Sequence, residues 1–217
     1  MKNGFLITFE GIDKVGKSTQ VKRLLNHLIA KGHNPVLVRE PGSTAISERI
    51  RTILADPGLK NKISPLAELF LYSASRAQLV VETIEPELKA NKIVIADRFY
   101  DSSTAYQGFG RGIPIGNIEA VNKIATHNIK PDLTILLYIN EKSPRPHKSI
   151  NRLAPNLFDD RTEQEFLLFR QKVQDGFFAI AQKEKERFLV LEASESKDQI
   201  FKKIKTRVDK LLKTFTP

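Results

Sequence analysis

Gly11-Ile12-Asp13-Lys14-Val15-Gly16-Lys17-Ser18 fits the pattern G-x-x-x-x-G-K-[ST], and its surroundings give the match its weight. Before it runs Phe5-Leu6-Ile7-Thr8-Phe9, a short apolar stretch with β-branched and aromatic members that reads as a buried strand. After it, Val21, Leu24, Leu25, Leu28 and Ile29 keep helical spacing from Lys17 to Ala30, and Gly32 supplies a stop. Strand, glycine turn and helix in that order form a phosphate-binding loop. The glycines permit a tight backbone whose N–H groups, with the helix N-terminus, surround phosphate oxygens. Lys17 is placed to neutralise the β- and γ-phosphates of a nucleoside triphosphate. Ser18 offers a hydroxyl to Mg²⁺, a cation that prefers oxygen donors and keeps several waters.

Outward from the loop, apolar runs recur at Val36–Val38, Lys92–Ala96, Leu133–Ile139 and Phe188–Leu191. Helical periodicity alternates with them over Ile46–Leu54, Leu66–Leu88, Ile118–Ala125, Glu163–Lys185 and Ile200–Leu212. Such alternation predicts an α/β fold of the P-loop NTPase type, a three-layer sandwich with a five-stranded parallel sheet covered on both faces by helices. The 217 residues, 41% of them hydrophobic, are expected to form one domain over 1–217. Within it, the proline- and charge-rich stretch from Ser143 reads as a small lid, approximately 143–162.

Composition narrows the function. The chain has no cysteine, which excludes disulfides and thiolate chemistry. Its start, Met1 to Gly4, is polar, and no apolar run approaches the roughly 20 residues that span a bilayer. A soluble, cytoplasmic protein with no membrane partner is expected. The net charge of +10 calls for polyanions, but the late basic stretch from Lys183 to Lys213 alternates with Glu and apolar positions, as a solvated helix face does. No zinc-ligand spacing or aromatic platform accompanies it, so small phosphorylated molecules are expected rather than nucleic acid.

The loop alone leaves GTPases, motor ATPases and kinases open. Asp97-Arg98 closes a strand, where ligands gather at the rim of a parallel sheet. Arg39 closes another, and Arg76 lies one helical turn after Tyr72. Guanidinium forks bind phosphate in pairs of hydrogen bonds, so these arginines suggest a second phosphate site.

In four ordered segments the chain resembles the thymidylate kinases, a branch of the P-loop nucleoside monophosphate kinases. They are Phe9–Thr19, Arg39-Glu40-Pro41-Gly42, Tyr72-Ser73-Ala74-Ser75-Arg76, and Asp97-Arg98-Phe99 leading into Ser103–Gln107, with Asp160-Arg161 as a weaker fifth. The resemblance implies Mg²⁺-dependent conversion of ATP and dTMP to ADP and dTDP, a step of dTTP biosynthesis, by a homodimer. ATP is then expected on Gly11, Ile12, Asp13, Lys14, Val15, Gly16, Lys17, Ser18 and Thr19. For dTMP, the resemblance implies Asp13 at the 3′-hydroxyl or the first phosphate, and Arg39 and Arg98 on the acceptor phosphate. Tyr72 stacks on thymine, Arg76 contacts a base carbonyl, and Ser103 and Gln107 meet the pyrimidine edge. Tyr106 crowds C2′ and disfavours ribonucleotides, while Asp97 joins Ser18 in the magnesium shell.

Two departures stand out. Some members carry an arginine inside the phosphate loop and others place arginines in the lid; this chain has Lys14 in the loop and keeps Arg152 and Arg161 around Leu153–Phe158. Lys14 is accordingly expected to share with Arg152 and Arg161 the stabilisation of the transferring phosphoryl group, without an arginine's fork. Ser43 replaces a glycine common after Arg-Glu-Pro-Gly. A kinase acting on another pyrimidine nucleotide, and a nucleotide-dependent switch or motor, are the competing readings.

Overall fold

A computed structural model of the chain describes residues 4–59, 62–140 and 160–213, with side chains described from 166 onward in the last stretch. Five strands form one parallel sheet in the order β2-β3-β1-β4-β5: β1 Phe5–Glu10, β2 Val36–Arg39, β3 Ile93–Asp97, β4 Leu133–Tyr138 and β5 Phe188–Glu192. All five coincide with the apolar runs. Helices cover both faces, as a parallel sheet requires because each crossover must return across a face. On one face Ile7, Phe9 and Ile135 pack with Leu24 and Leu28 of α1 (Lys17–Ala30), Val173 and Phe177 of α7 (Asp160–Lys183) and Ile204 and Val208 of α8 (Lys197–Leu212). On the other, Leu6, Val94 and Ala96 pack with Leu79 of α3 (Pro65–Leu79), Leu88 of α4 (Glu85–Lys89) and Phe99.

Local chemistry sets the helix starts. Thr44 caps α2 (Ala45–Ala55) by accepting from the Ser47 N–H, and Ser64 caps α3 by accepting from Ala67, with Pro65 directly after it. Ser196 and Gln199 form a reciprocal capping box at α8.

The structure departs from the sequence pattern in two places. The periodic run Leu66–Leu88, expected as one helix, is α3 and α4 joined by a π-helical turn, Val80–Ile84. Pro86 follows directly; it has no N–H to donate into an α-helical ladder, and a wide turn just ahead accommodates it. The second departure is a helix the pattern did not indicate. After β3 the chain forms α5 (Tyr100–Ser103) and continues as a π-helical stretch, Thr104–Gly110, before α6 (Ile115–Ala125). The sequence YDSSTAYQGFG is polar and glycine-containing, so its helicity comes from packing on α7 rather than from propensity. Gly176 of α7 allows that approach, because a Cβ there would stand 2.7 Å from Phe109 Cγ.

Candidate active site

The carboxyl ends of β1, β2 and β3 bring Glu10, Arg39 and Asp97 to one rim of the sheet, with Arg39 and Phe9 both in register with Asp97. The phosphate loop rises from β1 at this rim. Gly11 turns there with φ 128°, and a Cβ on it would lie 2.1 Å from the Leu137 carbonyl oxygen, so no larger residue fits. Gly16 starts α1 in the left-handed region at φ 97°, and Lys14 takes φ 64° without a glycine's freedom. Lys17 Nζ donates to the carbonyl oxygens of Gly11 (2.9 Å) and Ile12 (2.7 Å). Burial, with the Arg98 charge nearby, pulls this ammonium down to about 7.

Two cavities abut at the rim. The first, about 480 Å³, is lined by the loop residues Asp13, Lys14, Gly16, Lys17, Ser18 and Thr19 and by Arg39 and Asp97. The second, about 300 Å³, is lined by Tyr72, Arg76, Ser103, Tyr106 and Gln107. Asp13, Glu40, Arg51 and Arg98 line both. Most residues singled out in the sequence therefore sort into two adjoining chambers with a shared wall, while Gly11, Ile12 and Val15 line neither and the last two are buried in the core.

Arg98 dominates that wall. Its backbone is left-handed at φ 73°, and its N–H donates to Phe9 O at 3.0 Å. The guanidinium donates through Nη2 to Asp13 Oδ1 at 2.5 Å and through Nη1 to Ser102 Oγ at 3.0 Å, and lies 5.2 Å over the Tyr106 ring. Burial works to raise the Asp13 carboxyl, but the charges of Arg98 and Lys17 outweigh it and hold Asp13 below the usual range. The Tyr106 ring is braced edge-on by Phe169 and Phe177, each at 6.2 Å.

At the far wall, Arg76 is fully buried. Its Nε donates to Glu40 Oε1 at 2.7 Å and Nη2 donates to the same oxygen, while Nη1 reaches Asn122 Oδ1 at 2.8 Å and Nη2 reaches Ser103 Oγ at 2.7 Å. Burial raises the Glu40 carboxyl, against the pull of Arg76. Gln107 Nε2 donates to Glu68 Oε1 at 2.7 Å, which fixes the direction of its amide.

Arg39 lines the loop cavity and not the second one, and its Nη2 donates to Glu48 Oε1 (2.8 Å) and Oε2 (3.1 Å). Ser43 takes φ 72°, and its Oγ accepts from the Arg39 N–H at 2.8 Å while its own N–H donates to Glu48 Oε1 at 2.7 Å. The serine thus closes a turn that its backbone conformation alone would disfavour. Arg152, most of the lid and the side chain of Arg161 lie outside the described residues.

Three contributors escaped the sequence reading. Arg51 borders both cavities and donates to Pro41 O at 3.0 Å. It stands one helical turn after Ser47, the buried residue of α2, but a serine marks an inner face poorly. Glu40 was visible only as part of Arg39-Glu-Pro-Gly. Glu10, fully buried, has its carboxyl pushed up to about 8 by burial and by Asp101.

For Mg²⁺ the test is the donor set. Ser18 Oγ donates to Asp97 Oδ2 at 3.1 Å in the loop cavity, so two oxygen ligands stand together. No cluster of three or more His, Cys, Asp or Glu suited to a metal occurs among the described residues. Few protein oxygens beside a phosphate pocket is what Mg²⁺ uses, and the residues fit it.

A parallel α/β sheet with a glycine loop at its carboxyl rim, and a charged cavity on that loop joined to a second one, defines a P-loop phosphotransferase. The thymidylate kinase family model matches residues 9–204. A thymidylate kinase of Chlorobium phaeobacteroides is 43% identical over 203 residues, covering 92% of each chain, and one of Geotalea daltonii is 43% identical over 198 residues, covering 90% of this chain and 92% of its own. The crystal structure of thymidylate kinase from Ehrlichia chaffeensis superposes with a TM-score of 0.75 at 32% identity, covering 95% of this chain and 99% of that one. The chain belongs to the thymidylate kinase family.

Proposed function

We propose that the two cavities are the donor and acceptor halves of one site, in which the γ-phosphoryl group of ATP passes to the phosphate of dTMP to give ADP and dTDP. The observation that carries this is the shared wall: a donor loop and an acceptor chamber meet at Asp13, Arg51 and Arg98. An oxygen of the dTMP phosphate attacks the γ-phosphorus while the bond to the β–γ bridging oxygen breaks. The protein's contribution is to hold the two phosphates in line and meet the charge between them.

In this reading the loop from Gly11 to Thr19 holds ATP, and Lys17 leaves its carbonyl partners for the β- and γ-phosphates, whose charge keeps it protonated. Ser18 and Asp97 hold Mg²⁺, which when bound supplies charge neutralisation at the phosphates. Arg98 grips the acceptor phosphate with Arg51; Arg39, expected from its motif on that same phosphate, borders only the loop cavity and is tied to Glu48, so it is assigned to the donor side instead. Tyr72 stacks on the thymine ring, and Arg76 offers a buried guanidinium edge to a base carbonyl. Ser103 and Gln107 meet the pyrimidine edge, and Tyr106 closes the space beside C2′. Lys14, with Arg152 and Arg161 of the lid, stabilises the moving phosphoryl group.

The whole chain, 1–217, forms one domain with its lid at 143–162, working in the cytoplasm as a homodimer. Leu66 and Phe70, both half-exposed and one turn apart on α3, offer an apolar strip to the second copy. ADP release measured with dTMP, dUMP, dCMP, UMP and a shikimate-like non-nucleotide tests the acceptor. Highest kcat/KM with dTMP is expected; a better acceptor among the others overturns the assignment.

A further inference from the structure

We propose that Glu10 is a positioning residue for phosphoryl transfer: through the hydroxyl of Ser102 it fixes the Arg98 guanidinium between the two cavities. Glu10 is fully buried and lines neither cavity, so it does not meet a substrate. Its two oxygens are both engaged by the turn that carries Arg98. Oε1 accepts the Phe99 N–H at 2.8 Å, and Oε2 accepts the Ser102 hydroxyl at 2.5 Å.

The direction of the second bond decides the geometry of Arg98. A serine hydroxyl has one proton and two lone pairs. Above about pH 8, where the Glu10 carboxyl is ionised and its oxygens only accept, Ser102 gives its proton to Glu10 and its Oγ accepts from Arg98 Nη1 at 3.0 Å. Arg98 Nη2 then meets Asp13 Oδ1 at 2.5 Å, and the loop runs back from Asp13 to Glu10. The result is a closed circuit of Glu10, Ser102, Arg98 and Asp13, tying the phosphate loop to the arginine that faces the acceptor.

Neighbouring anchors prevent the turn from shifting to compensate. Asp101 is held by Arg187 through Nη1 on Oδ2 (2.7 Å) and Nη2 on Oδ1 (2.8 Å), so α5 is pinned at the consecutive residues Asp101 and Ser102. Arg98 itself sits at φ 73°, a conformation that persists only where the surroundings over-determine it. Without the Glu10 acceptor, the Ser102 proton turns to another partner and Arg98 loses its Nη1 hydrogen bond, keeping only those of Nη2 to Asp13 and Tyr106.

This inference rests on the proposed phosphoryl transfer, and its test is a double-mutant cycle of Glu10→Gln, Ser102→Ala and both together, assayed at saturating ATP and at about pH 9, where the Glu10 carboxyl is ionised. The acceptor is whichever pyrimidine monophosphate the unaltered chain turns over best. A wrong acceptor assignment then shows in the unaltered chain, and a wrong role for Glu10 shows in the cycle. Each single change is expected to lower kcat/KM for the acceptor about tenfold or more while KM for ATP stays within about twofold. The double variant is expected to be no worse than the weaker single, because both break one chain of contacts. Losses that multiply, or a folded Glu10→Gln within about twofold of the unaltered chain, overturn the proposal. Should Glu10→Gln fail to fold, Glu10→Asp takes its place in the cycle with Ser102→Ala, since Ser102 itself lines the acceptor cavity, and the same outcomes decide.

Discussion

Arg51 and Lys14 carry the sharpest consequences at the scale of single residues. Arg51 borders both cavities with one guanidinium nitrogen anchored on Pro41 O, which leaves the rest of the fork for phosphate. Arg51→Ala is expected to lower kcat/KM for dTMP about tenfold or more, since a charge-assisted hydrogen bond is worth roughly 1.5–3 kcal/mol. Steady-state kinetics with each substrate varied in turn check this; an unchanged dTMP KM and kcat would remove Arg51 from the acceptor grip. Lys14→Ala is expected to lower kcat much more than ATP affinity, and equal turnover in variant and parent contradicts its role in meeting transition-state charge. Of the residues named from the sequence, Asp13, Lys14, Gly16–Thr19, Tyr72, Arg76, Asp97, Arg98, Ser103, Tyr106 and Gln107 border the joined cavities, whereas Ile12 and Val15 of the loop turn into the core and Gly11 lines neither. They were legible because each sits in a motif whose spacing is local. Arg51 and Glu10 were not, because their importance arises only when α2 or the turn after β3 folds back against them.

Among elements, the helix following β3 supplies one wall of the acceptor chamber, through Ser102, Ser103, Tyr106 and Gln107. Tyr106 and Gln107 lie on its π-helical stretch, where a wider turn re-aims side chains relative to an α-helix. Its seat on α7 depends on the glycine at 176, so Gly176→Ala forces a carbon to within 2.7 Å of Phe109 Cγ and must push the two elements apart. About 1–3 kcal/mol of stability is expected to be lost, as in other overpacked cores, with a rise in KM for dTMP as Tyr106 shifts. Chemical denaturation and kinetics on the same sample test both parts, and a variant of parental stability contradicts the packing argument. The sequence showed the strands because the central ones are buried on both faces and therefore mainly apolar, and the edge strands β2 and β5 keep short apolar runs although Leu37 and Val190 are exposed. It hid this helix because a polar segment can be helical when a neighbour supplies the apolar surface.

At the level of the whole molecule, the sheet places its polar and charged groups at one rim, and folding carries the cost of burying Glu10 there. Its carboxyl titrates at about 8 rather than 4.5, with burial the larger cause and Asp101 the next. Between those values the folded chain keeps a proton that the unfolded chain releases, so Glu10's contribution to stability falls as pH rises through that window and is level above it. Glu10→Gln removes this slope. Thermal melts of both chains at about pH 5 and about pH 8 are expected to show a smaller drop in Tm for the variant; an identical drop contradicts the raised carboxyl.

The central claim is that the two cavities act as one phosphoryl-transfer site, and product stoichiometry addresses it most directly. Incubation with Mg²⁺, ATP and dTMP, followed by chromatographic quantification of both products, is expected to give one dTDP for each ADP, with neither formed when dTMP is withheld. ADP accumulating without dTDP would contradict the claim, for it would leave a donor site with no acceptor beside it.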